Sequence, residues 1–92
     1  MMLTPVQSTQ FKKDVKKVRK RGKDLEKLKT LLSLLIHQAP LPEAYQDHPL
    51  RGNWKGYRDA HIEPDWLLFT VRVDGDELQL PRTGTHADLF QE

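Results

Sequence analysis

Hydrophobic spacing changes period once along this chain, dividing it into a helical half and a strand-forming half. Phe11, Val15 and Val18 recur at i, i+4 and i+7, and after Gly22 the residues Leu25, Leu28, Leu32 and Leu35 form a second stripe, so two amphipathic helices are predicted before His37. Ser8 and Asp24 stand where N-caps are needed, and Gly22 is a natural stop between the helices. The stretch QAPLPEAYQDHPLRGNW then brings three prolines, at 40, 42 and 49, and predicts a loop from Gln38 to Gly52. Beyond it, NWKGYRDAHI, WLLFTVRV and LQLPRTG read as strands, parted by the turn-forming EPD and by DGDE, where Asp74-Gly75 is a hairpin signal. Leu3 and Val6 add a short opening strand that Pro5 confines to an edge or a strand start.

Strand, helix, helix and then three strands is an α+β pattern. It predicts a small antiparallel sheet with an N-terminal helical hairpin packed on one face, the other face being left for chemistry. The 92 residues fit one domain, 1–92, with a single modest core. With no cysteine, the chain has no disulfide, thiolate metal site or cysteine nucleophile, and packing alone must hold it. The longest apolar run, Leu31 to Ile36, is interrupted by Ser33 and falls far short of the roughly 20 residues that span a bilayer. The opening residues lack the basic start and apolar centre of a signal peptide, so a cytoplasmic location is expected.

Charge is strongly polarised. From Phe11 to Lys29 ten basic side chains face three acidic ones, a net +7, whereas the rest of the chain has five basic against ten acidic, a net −5. Such a block fits a polyanionic partner, because neutralising phosphates releases counterions, and it also fits a solvated helix face. Lys12, Lys13, Lys16, Lys17, Arg19 and Lys20 are the candidates for RNA or ribosome contact.

The titratable side chains of chemical interest lie in the other half: His48, Arg58, Asp59, His61, Glu63, Asp65, Arg82 and His86. His37 stands apart at a helix end, where the dipole favours it. Cleavage of RNA through its own 2′-hydroxyl needs a base for that hydroxyl, an acid for the departing 5′-oxygen and positive charge for the phosphorus, and imidazole, carboxylate and guanidinium supply these at neutral pH without a metal. Trp54, Trp66 and Phe90 are interleaved aromatics able to stack an unpaired base, although Trp66 starts an apolar run and suits a core equally well. Arg58 could instead form a surface ion pair with Asp59 or Asp65. A zinc site of His48, His61 and His86 is chemically possible, but neither HExxH spacing nor a thiolate supports it. The chain has no GxxxxGK[ST] loop for nucleotide hydrolysis and no GxSxG elbow.

The ordered motifs DHPL, WKGYRDAHIEPDW and RTGTHADLF, preceded by the basic hairpin, resemble the YafQ-type branch of the RelE superfamily, the messenger RNA interferases of bacterial type II toxin-antitoxin systems. The resemblance spans nearly the whole chain. It implies a RelE-like, microbial-RNase-like fold and an enzyme without cofactor that cuts messenger RNA in the ribosomal A site. It also implies an antitoxin encoded beside it, with operator DNA contacted only through that antitoxin. The family's functional positions fall on His48, His61, Asp65, Trp66, His86 and Phe90, with Arg82 suited to phosphate contact. His86 is expected to be the general acid and Asp65 or His61 the base, with His48 and Arg82 steadying the phosphate. A non-catalytic ribosome or RNA binder that blocks translation by occupancy, or a transcriptional co-repressor, is the competing expectation. Pro81, just before Arg82, lacks an N–H to donate and points to an edge or a bulge there.

Overall fold

The computed structural model describes residues 1–90. Strand β1 (Thr4–Gln7) leads into α1 (Thr9–Lys20), which Ser8 caps by accepting the Phe11 N–H at 2.9 Å. Gly22, at φ +85°, lets the chain reverse, and Asp24 caps α2 (Leu25–Ile36) through the Glu26 N–H at 3.0 Å. The proline-rich stretch is irregular except for one 3-10 turn, Glu43–Tyr45, and a two-residue strand, β2 (His48–Pro49). A second 3-10 turn, Gly52–Trp54, holds NWKGY out of the sheet, so that β3 starts only at Arg58 and ends at Glu63. It is followed by β4 (Trp66–Val73), β5 (Glu77–Leu80), β6 (Thr83–Gly84) and α3 (His86–Phe90).

The strand order is β1-β5-β4-β3-β2, with β6 also paired to β4. Two tight hairpins make β3, β4 and β5 the expected antiparallel meander, and Asp74 and Gly75, at φ +54° and +85°, form the predicted turn. The sheet is not wholly antiparallel, because β1 pairs with β5 in parallel. Only strands joined by tight turns are forced to run antiparallel, and two helices follow β1. LQLPRTG is likewise two strands rather than one. At Pro81 the strand breaks, β5 lying between β1 and the C-terminal part of β4 and β6 pairing with the start of β4.

Alternation along β4 decides what each face carries. Trp66 and Leu68 point to the helices and pack with Phe11, Val18, Leu28 and Leu31. Leu67 and Phe69 point the other way, against Leu89 of α3, with Leu50 and Trp54 at the margin. Residues Trp66–Thr70 are therefore buried throughout. The face expected to be open is partly roofed by α3, a helix that the sequence reading, which ends its last strand at Gly84, does not assign, and the uncovered part lies beside β2 and β3. Among the described residues no helix is long and apolar enough to cross a membrane.

Candidate active site

Strand period 2 puts Asp59 and His61 on the face opposite Ala60 and Ile62, which belong to the helix-side core. Register then adds the neighbours: His48 lies opposite Asp59, Asp59 opposite Phe69, and His61 opposite Leu67. The rings of His48 and His61 stack at 5.8 Å, and one donor atom from each of His48, Asp59 and His61 falls within a 4.8 Å cluster. His86, at the start of α3, brings a third imidazole to 5.8 Å from His61, and Phe90 at the other end of that short helix lies 6.2 Å from His86.

His86 is aimed by Asp65 at the tip of the β3–β4 hairpin. One oxygen of that carboxylate, Oδ1, accepts both the His86 backbone N–H at 2.9 Å and the Nδ1–H at 2.5 Å. These two bonds hold the Asp65 carboxyl below the usual range, the backbone bond most of all. With Nδ1 donating to a carboxylate, Nε2 is the nitrogen left for chemistry. Helix α3 is itself fixed by a reciprocal cap, Thr85 N–H to Asp88 at 3.0 Å and Asp88 N–H to Thr85 Oγ1 at 3.1 Å. Asp88 also accepts from Arg21 at 2.6 and 3.1 Å and from Lys17 at 3.2 Å, and the Arg21 bond leads in holding its carboxyl far below the ordinary value. Only glycine fits at 84: φ is +154°, and a Cβ would stand 2.8 Å from the Asp88 carboxylate.

Asp59 is the group that sequence reasoning did not select. It is 3% exposed, its Oδ1 has no hydrogen-bond partner, and its Oδ2 lies 3.6 Å from His48 Nε2. Burial pushes its carboxyl up, while positive charge on His61, His48 and His86 pulls it down. His48 Nδ1–H donates to the Gln46 carbonyl at 2.7 Å, which turns Nε2 toward that carboxylate. The period-2 spacing of Asp59 and His61 is the signal that marks them as one face. His61 Nδ1 is also buried without a partner. A cavity of about 420 Å³ opens between His61, Glu63, Pro64 and His86. A larger cavity, about 610 Å³, lies elsewhere, between Leu35, Asp47, Arg58 and Arg72, and no imidazole lines it.

His48, His61, Asp65 and His86 thus converge, with Phe90 at their edge, but three other sequence candidates are placed differently. Trp66 is 1% exposed and donates its indole N–H to Thr83 Oγ1 at 3.0 Å, so it packs the core and cannot stack a base. Arg82 gives Nε and Nη2 to buried Asp14, at 2.8 and 3.1 Å, and Asp14 also accepts from the Thr83 N–H at 3.1 Å. That fork positions β6 beneath α1 rather than reaching toward the imidazoles. Lys17 is engaged with Asp88, whereas Lys12, Lys13, Lys16, Arg19 and Lys20 form no ion pair among the described residues. Arg58 pairs with Asp47, not with Asp59 or Asp65.

Comparison with known proteins agrees with this geometry. The chain is 58% identical over 84 residues, 90% of each sequence, to "mRNA interferase toxin YafQ" of Escherichia coli (strain K12). The crystal structure of the E. coli DinJ-YafQ toxin-antitoxin complex matches with a TM-score of 0.87 at 54% identity, covering 98% of this chain and 99% of that one. That of a metal-bound toxin from Helicobacter pylori matches with a TM-score of 0.90 at 40% identity, covering 97% and 100%. The profile of the bacterial toxin of type II toxin-antitoxin systems, YafQ, matches residues 3–91. A basic helical hairpin, an imidazole cluster on the opposite sheet face and these matches lead to one conclusion: the chain belongs to the YafQ family of bacterial type II toxins.

Proposed function

We propose that this chain is an endoribonuclease toxin that cuts messenger RNA in the ribosomal A site, in the cytoplasm, and is silenced by a cognate antitoxin. The observation that carries this reading is the Asp65–His86 pair facing His61 across 5.8 Å between ring centroids. A phosphodiester lying between the two imidazoles would have a base on one side and an acid on the other. His61 takes the proton of the 2′-hydroxyl. The 2′-oxygen then bonds to phosphorus, the bond from phosphorus to the 5′-oxygen breaks, and His86 Nε2 delivers a proton to that leaving oxygen. The products are a 2′,3′-cyclic phosphate and a free 5′-hydroxyl.

The engagement of Asp65 with His86 favours His61 as base and makes Asp65 the residue that orients the acid. His48, whose Nε2 lies 3.6 Å from Asp59, stands where it can donate to the phosphorane oxygens. Phe90, 36% exposed, offers a ring to a neighbouring base. Lys12, Lys13, Lys16, Arg19 and Lys20 lie within about 120° of one another around α1 and are the side chains for ribosomal RNA. His48, Asp59 and His61 are a donor set that zinc or copper accepts, and such an ion would supply charge to the phosphate, but every proton transfer above is assigned to side chains.

The test is inducible expression of wild type and His86→Ala in a bacterial host, with messenger RNA 5′ ends mapped after induction. New ends in translated frames with wild type only, and growth arrest with wild type only, are expected. Growth arrest by both proteins without new ends refutes the catalytic reading and leaves a basic domain that inhibits by occupancy.

A further inference from the structure

The catalytic cluster is one end of a longer run of rings. His48, His61, His86 and Phe90 follow one another at 5.8, 5.8 and 6.2 Å, and the run goes on from Phe90 to Phe69 at 5.5 Å, to Trp54 at 4.9 Å and to Tyr57 at 5.2 Å. Around its far end lies a cavity of about 540 Å³ lined by Arg51, Asn53, Trp54, Tyr57, Arg82 and Phe90. That volume lies within the roughly 300–1,000 Å³ range of small-molecule sites. Among the described residues no carboxylate lines it. Arg51 is exposed and forms no ion pair among the described residues, in contrast to nearby Arg58, held by Asp47. Arg82 also lines the cavity while it gives Nε and Nη2 to Asp14.

We infer that the Arg51–Trp54–Tyr57 pocket is a subsite for an unpaired nucleotide of the RNA, flanking the one cut between His61 and His86. The inference rests on the RNA-cleaving reading above and extends it from the scissile phosphate to sequence preference. Each wall has a matching part of a nucleotide. Trp54 and Tyr57 meet at 90°, forming a corner rather than a closed stack, and a base can lie against either ring. Asn53 is exposed, with an amide able both to donate to and accept from a base edge. Arg51 supplies the guanidinium that a backbone phosphate recognises. The corner is built before RNA arrives: the Leu50 N–H donates to the Tyr57 carbonyl at 2.8 Å, and the Tyr57 N–H donates to that of Trp54 at 3.0 Å. Phe90 belongs both to the rim of this pocket and to the neighbourhood of His86, which places the two nucleotides on a continuous track.

The experiment uses the full chain with His86→Ala, which prevents cutting, and a fluorescein-labelled hexa-adenylate whose binding is read by anisotropy. Arg51→Glu and Tyr57→Ala, each added singly, are expected to weaken binding about tenfold. Lys29→Glu, the same charge change on the far side of the hairpin, is expected to stay within about twofold. In the cutting-competent chain, Asn53→Ala is expected to change the base composition at a position flanking the mapped cuts. If Arg51→Glu weakens binding no more than Lys29→Glu does, the inference is overturned. It is also overturned if Arg51→Glu binds RNA normally but escapes neutralisation by the antitoxin, which would make the pocket a protein-docking surface. Should wild type make no cuts at all, the cleavage reading fails, and the anisotropy comparison still decides the pocket on its own.

Discussion

Replacing Asp59 by asparagine separates the work of this carboxylate from its effect on folding. The side chain is 3% exposed with one oxygen unpartnered, and burial raises its pKa, so the folded state binds its proton more tightly than the unfolded chain does. The sign follows from proton linkage. Stability is complete below the unfolded value of about 3.9 and is lost as pH rises through the higher folded value. Asparagine cannot ionise and removes that loss. A buried unsatisfied polar group costs about 1–3 kcal/mol, more when charged, and the amide still bears part of it, which leaves a net gain of about 1–2 kcal/mol at pH 8. At roughly 4–8 °C per kcal/mol for a domain of this size, thermal unfolding followed by circular dichroism should show Asp59→Asn melting about 4–16 °C higher at pH 8 and level with wild type near pH 3.5. Cleavage moves the opposite way. Loss of the carboxylate beside His48 and His61 is expected to lower the rate about tenfold or more. A variant that is less stable at every pH but cuts normally would mean that Asp59 is a structural residue, and the reasoning would fail.

Four further outcomes follow from the supports of His86 and from the basic face of α1. Gly84→Ala places a methyl 2.8 Å from the Asp88 carboxylate at φ +154°, so it should cost about 1–3 kcal/mol in urea unfolding and reduce cleavage through displacement of α3. Asp88, whose carboxyl is held low chiefly by Arg21, contributes stability that is present above the ordinary carboxylate value of about 3.9 and lost as pH falls toward its depressed one. Asp88→Asn should therefore melt lower than wild type at pH 7 and lose less on acidification to pH 2, and identical acid limbs would refute this. Lys12→Glu with Lys16→Glu should flatten the salt dependence of RNA binding, by roughly 0.7 in log–log slope for each single-strand phosphate no longer neutralised, and leave the melting temperature unchanged. Lys17→Glu should instead lower the melting temperature by disturbing Asp88.

The helices and the meander were legible because local signals and tertiary packing agree there: caps at Ser8 and Asp24, the stripe from Leu25 to Leu35, and the Asp74-Gly75 turn. The misread parts are those where a distant partner decides. The local signal for the helix in THADLF is a single cap, Thr85 with Asp88, and Arg21 and Lys17, more than 60 positions away, help hold it. The roles of Arg82 and Trp66 were hidden for the same reason. A guanidinium and an indole close in sequence to the histidines and Asp65 look like substrate contacts until Asp14 and Thr83 claim them. The imidazoles themselves were legible as a set, since three histidines and an aspartate in loops or at strand ends are costly to bury and are spared for the surface face. Their arrangement was not, because it depends on register between β2, β3 and β4 and on where α3 starts.

The basic hairpin does two jobs, and the ion pairs show how they are divided. Lys17 and Arg21 reach Asp88 and so fix α3, while Lys23 and Lys27 grip Glu63 at 2.7 and 2.9 Å and so fix the end of β3, beside the hairpin tip that carries Asp65. Surface pairs of this kind add little stability one at a time. Here, however, they act at the two points where the Asp65–His86 hydrogen bond could open: the strand end before Asp65 and the helix after His86. A displacement of about 1 Å there is enough to reduce catalysis by two orders of magnitude, whereas it barely alters the free energy of the fold. The positive charge in the first half of the chain therefore accounts for more than attraction to RNA. One row of it faces solvent, and the other reaches through Asp88 and Glu63 to the residues that hold His86 against Asp65.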